Sequence, residues 1–106
     1  MTNALLRCVR QDSLEHPLFE CANSGLELWV WEIPTAYGIS WDRWMGQACQ
    51  LLSSHLPFLS TLRSGSQGYT LFVEVADAIW PIRIPQSLLA MAVTAGFEIE
   101  VYFAGE

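Results

Sequence analysis

Pro85-Gln86-Ser87-Leu88-Leu89-Ala90-Met91-Ala92-Val93-Thr94-Ala95-Gly96-Phe97-Glu98-Ile99-Glu100-Val101-Tyr102-Phe103 changes its period once, at the glycine. Before it, a proline at the first turn followed by a run of helix-compatible residues predicts a short helix over 86–95, which Gly96 ends. After it, Phe97, Ile99, Val101 and Phe103 alternate with Glu98, Glu100 and Tyr102, the period of a half-buried strand. Working upstream, residues 77–84 form an irregular excursion carrying Trp80-Pro81. Residues 69–76 alternate as the last strand does, with Tyr69, Leu71, Val73 and Val75 against Thr70, Phe72 and Glu74. A glycine-rich stop, Ser64-Gly65-Ser66-Gln67-Gly68, precedes that strand.

From Ser40, placed as an N-cap, apolar residues recur at three- and four-residue steps: Trp41, Trp44, Met45, Ala48, Leu51, Leu52, His55, Leu56, Leu59 and Leu62. This predicts a long amphipathic helix with a kink or break near residues 53–55, because Pro57 cannot continue the hydrogen-bond ladder. Residues 34–40 read as a loop. Residues 5–11 and 18–22 read as early strands, and Leu26 to Ile33 as a clearer one. The fold expected is a single domain, 1–106, of the α+β class. It has a mainly antiparallel sheet of four to five strands, with a long kinked helix and a short helix packed on one face.

Composition narrows the function. The chain is 106 residues, 52% apolar and 15% charged, so it buries a core and is no disordered tail. Three Asp and eight Glu face five Arg and no Lys, for a net charge of −6. Phosphate-neutralising nucleic-acid binding needs a basic stripe, and Arg7, Arg10, Arg43, Arg63 and Arg83 are scattered. Anionic membranes repel such a chain, while a basic protein partner is steered toward it. The N-terminus lacks the basic and apolar blocks of a signal peptide, and no segment reaches the length of a bilayer span. Cys8, Cys21 and Cys49 are therefore expected to be reduced thiols in a cytoplasm.

If Leu26, Leu28 and Val30 pack under the helices, along with Leu71/Val73/Val75 and Ile99/Val101/Phe103, the opposite sheet face carries the remaining strand residues. These are Glu27, Trp29, Trp31, Phe72, Glu74, Glu98, Glu100 and Tyr102: half aromatic, half acidic, and suited to a partner bearing Arg and Lys. Trp29 and Trp31 can equally belong to the core, with Leu28 and Val30 outside. Two loop aromatics, Tyr37 and Trp80, are further partner-binding candidates. Catalysis finds little footing. Cys49 and His55 are six residues apart, about 9 Å along a helix and beyond the reach of a thiolate–imidazole dyad. Cys8, His16 and Cys21 lack the paired short spacing of a zinc site, and Glu98 with Glu100 lacks the cleft of a glycosidase. No catalytic residue, metal or cofactor is expected.

The second half of the chain carries a resemblance. Leu51-Leu52-Ser53-Ser54-His55-Leu56-Pro57-Phe58-Leu59, then Ile82-Arg83-Ile84-Pro85-Gln86-Ser87-Leu88-Leu89, then Ala95-Gly96-Phe97-Glu98-Ile99-Glu100-Val101-Tyr102-Phe103, resembles a family of small uncharacterised bacterial α+β domains. Such domains are found among the immunity proteins of polymorphic toxin systems. The likeness covers residues 41–103 and rests on packing and turn residues. It implies an α+β fold without an established active site, and a cognate toxin or effector domain as partner, a basic nuclease among the candidates. The alternatives are a self-associating module that forms a homodimer, and a small hydrolase or transferase using His16 or His55.

Overall fold

The computed structural model describes residues 2–10, 19–23, 28–36, 40–63, 66–76 and 83–104. The elements are β1 (Thr2–Arg10), β2 (Glu20–Asn23), β3 (Leu28–Ala36), α1 (Trp41–Ser54), α2 (Leu56–Thr61), β4 (Ser66–Ala76), α3 (Gln86–Ala95) and β5 (Glu98–Ala104). The five strands form one sheet in the order β2-β3-β1-β4-β5. β1 pairs antiparallel with both β3 and β4, β2 pairs antiparallel with β3, and only β5 runs parallel to its neighbour, β4. The parallel pair is joined through α3, as parallel strands need a crossover. The α+β class and the mainly antiparallel sheet agree with the sequence reading.

Local chemistry sets the helix limits. The Ser40 hydroxyl accepts from the Arg43 amide at 3.3 Å, capping α1. α1 stops at Ser54, since a helix carried through Pro57 would drive its ring against the Ser53 carbonyl. His55 is the joint. Its carbonyl accepts from the Leu59 amide at 2.9 Å, and Pro57 falls in the first turn of α2, where its missing N–H costs nothing. α3 begins after Pro85, which occupies the cap position, and ends at Gly96 in the left-handed region, φ 83°.

The helices bury one apolar stripe each against the same sheet face. Trp44, Met45, Ala48 and Leu52 of α1, Leu59 of α2, and Leu88, Met91, Ala92 and Ala95 of α3 form one core with Ala4, Leu6 and Cys8 of the central strand β1 and with Leu71, Val73 and Val75 of β4. Among the described residues no helix is long and apolar enough to cross a membrane.

Three sequence expectations are corrected here. Residues 34–36, expected in a loop, continue β3. Ala4 faces Ile33 while Thr2 faces Ala36, so β3 carries an extra residue there, and a bulge accommodates Pro34. Likewise Ser66 and Gly68, expected in the stop before β4, pair with Arg10 and Val9 of β1. Third, the two faces of β3 are exchanged. Trp31 and Ile33 are buried, and Leu28 and Val30 are on the other side. The cause is pairing: Trp31 lies opposite Leu6, which lies opposite Leu71, and residues facing one another share a side of the sheet. Leu6 and Leu71 are core, so Trp31 must be.

Candidate functional site

The side of the sheet turned away from the helices can be followed row by row through the strand register. One row runs Glu20, Val30, Arg7, Thr70, Glu98 across all the strands from β2 to β5. The next runs Glu32, Leu5, Phe72, Glu100 from β3 to β5. A third holds Glu74 and Tyr102. Neighbours within a row are separated by one strand spacing, about 4.8 Å between backbones. The first two rows therefore share a plan. Exposed carboxylates stand at both outer ends, and no carboxylate stands between them.

That middle is organised by Arg7. Its guanidinium carbon stands 4.3 Å from the centre of the Phe72 ring. Phe72 in turn stacks on Tyr102, with ring centres 5.7 Å apart and planes within 8° of parallel. Cation, ring and ring thus form a shallow floor, with a hollow of about 270 Å³ lined by Leu5, Arg7, Phe72, Glu74 and Tyr102. The Tyr102 phenol is held above its ordinary 10.0 by desolvation and by donating to the adjacent Glu100 carboxylate, while Arg7 pulls it the other way. The hydroxyl therefore remains a neutral donor throughout the physiological range.

Of the residues expected at a partner face, Phe72, Glu74, Glu98, Glu100 and Tyr102 lie on this side, three of them on β5. Trp29 and Trp31 lie on the helix side. Trp31 is 5% exposed and packs edge-on to His55 at 5.4 Å, and Trp29 packs half-buried against the core. Glu27, Tyr37 and Trp80 lie outside the described residues. Glu20, Glu32 and Arg7 were missed as members of the face. Glu32 carried a usable signal, because a glutamate in step with Leu28 and Val30 marks that side of β3 as the wet one. Phe103, expected under the helices with Ile99 and Val101, is 52% exposed, because β5 is an edge strand.

A second concavity, of about 950 Å³, opens between α1 and the start of α3, with Met45, Cys49, Gln50, Arg83, Ser87 and Met91 among its walls. Nothing in the sequence period announces it, since it depends on how two helices cross. Trp41 donates its indole N–H to the carbonyl of Arg83, one of those walls, at 2.7 Å. The Ser87 hydroxyl approaches the Cys49 Sγ at 3.9 Å. Burial pushes the Cys49 thiol up, and the Ser87 contact offsets that only in part, so the sulfur is held away from the thiolate form that nucleophilic work requires. Its former dyad candidate, His55, is turned toward Trp31. Cys8 and Cys21 both face Trp29 from opposite sides, two strand spacings or about 10 Å apart. Cys8 is buried, Cys21 is exposed, and His16 lies outside the described residues. No family model, no curated protein and no solved structure matches the chain.

Proposed function

We propose that this chain is an immunity protein, a non-catalytic domain that binds and neutralises a cognate basic bacterial toxin in the cytoplasm of the producing cell. The observation that carries the reading is the open sheet face. Its Glu20, Glu32, Glu98 and Glu100 carboxylates ring a floor of Leu5, Arg7, Phe72 and Tyr102. A floor of flat rings gives an incoming side chain apolar area to cover, and the surrounding carboxylates favour arginine and lysine over acidic competitors. The net charge of −6 extends the same preference to long range and speeds encounter with a cationic partner. The family resemblance of residues 41–103 points the same way.

A gene for a large secreted protein with a variable C-terminal domain is expected immediately upstream, and the test is co-expression with that domain. Survival of the host and a complex stable at micromolar concentration are expected. A toxin that still kills, or that fails to bind, overturns the proposal. Within a complex, Phe72→Ala should weaken binding at least tenfold, about 1.4 kcal/mol. Unchanged affinity would remove the open face from the interface.

A further inference from the structure

The two edges of the sheet are unequal. β2 has four residues, and its pairing with β3 slips between Cys21 and Asn23. β5 has seven residues, and its pairing with β4 runs without a shift from Thr70 opposite Glu98 to Ala76 opposite Ala104. No described strand lies beyond β5. Of the usual means of closing an edge to further pairing, proline, a bulge and great shortness are absent from β5, and charge is present as Glu98 and Glu100, which discriminates by the sign of the incoming strand. Its backbone groups on the outer side are spaced as a regular strand requires.

The side chains define what such a strand would have to be. Glu98, Glu100 and Tyr102 project to the open face, while Ile99 and Val101 project toward the helix layer and are half-buried. Tyr102 and Phe103, 46% and 52% exposed on opposite faces, leave apolar area at the end of the edge. A strand laid beside β5 puts each side chain on the same face as the residue it opposes. It must therefore offer basic groups to one face and apolar groups to the other, in alternation. A second copy of β5 meets this poorly, because near the centre of the pair the glutamates of the two chains come opposite or diagonal to one another.

We infer that β5 is a docking edge, and that the basic partner adds to it a strand of alternating cationic and apolar residues, extending the sheet beyond its fifth strand. The inference rests on the basic-partner reading above and adds backbone pairing to it. Main-chain hydrogen bonds hold the added strand, and the glutamate–apolar alternation selects its sequence. The same glutamates that admit a basic strand repel self-pairing.

The probe is a peptide of alternating arginine and valine, the length of β5, titrated against the full chain. Saturable binding is expected, with slowed hydrogen exchange at alternate amides of β5 and no change at β2. A version N-methylated along both backbone edges keeps the charge and loses the donors. It should bind at least about tenfold more weakly, the effect of losing one or two backbone hydrogen bonds. Equal binding of the methylated peptide, or no binding of the parent, overturns the strand addition. In the first case the basic-partner reading stands, because charge alone then suffices. A peptide with glutamate in place of arginine that binds as well as the parent overturns the basic-partner reading itself. Protection of β5 that rises with protein concentration, without peptide, assigns the edge to a second copy and overturns the inference.

Discussion

Trp31 shows what one residue does when a strand has apolar groups on both sides. Its ring meets Phe19 at 6.2 Å and His55 at 5.4 Å, and with them it ties β3 to the joint between α1 and α2. Truncation there leaves a large void that the sheet cannot collapse into, so Trp31→Ala should cost about 3–5 kcal/mol. Urea unfolding should show it as a lower midpoint, and an unchanged midpoint would put Trp31 on the surface. Tyr69 makes a different bond. Its hydroxyl donates to the Leu59 carbonyl at 3.0 Å, joining β4 to α2. Burial pushes this phenol well above its ordinary 10.0, and the nearby Cys8 thiol pushes it further. The fold therefore prefers the neutral phenol. The stability this preference contributes is full below pH 10.0 and is lost as pH rises beyond it, since the unfolded chain ionises first. Tyr69→Phe should lower stability by about 1 kcal/mol near neutral pH. A series of thermal melts should show a shallower alkaline decline than the parent protein.

At the scale of elements, the end of α3 is where sequence punctuation and tertiary contact meet. Gly96 has φ 83°, and a Cβ there would lie 2.8 Å from the Arg63 Nε and 3.0 Å from its Cβ. Arg63 is pressed against the glycine because its Nη2 donates to the Val93 carbonyl at 2.9 Å, satisfying a group that the helix end leaves open and placing a cation at the negative pole. Gly96→Ala should therefore cost about 1 kcal/mol or more through backbone strain and displacement of Arg63. A fall in melting temperature of roughly 4–8 °C per kcal/mol would report it. The limits of α1, α2 and α3 were legible because Ser40, Pro57, Pro85 and Gly96 act on their own few neighbours. The faces of β4 were legible too, since Tyr69, Leu71, Val73 and Val75 have Glu74 against them on the other side. β3 was not, because Leu28 and Val30 compete with Trp29, Trp31 and Ile33 on nearly equal apolar terms. A local pattern cannot choose between two apolar faces; the pairing with Leu6 chose.

For the whole molecule, the surplus of carboxylates is what a partner meets first. Glu98 and Glu100 are exposed at one side of the open face, away from the core. Replacing both by glutamine should leave stability within about 0.5 kcal/mol, and relief of like-charge repulsion should make any change favourable. Association with a basic partner should slow severalfold, and its rate should depend less steeply on salt. Stopped-flow mixing across a salt series checks both. An association rate insensitive to these two substitutions would remove β5 from the encounter surface.

By itself the sequence determined the class of fold, the breaks between helices, the pattern of β4 and β5, and an acidic surplus without lysine. Each of these depends on residues within a turn or two of one another, or on composition alone. The tertiary structure decided which face of β3 is buried, that Arg7 lies over Phe72, that Glu20 and Glu32 share a face with Glu98 and Glu100, and that β5 is a regular outer edge. Those facts depend on register between strands far apart in the chain. A shift of one residue in that register would turn every side chain of a strand to the other face.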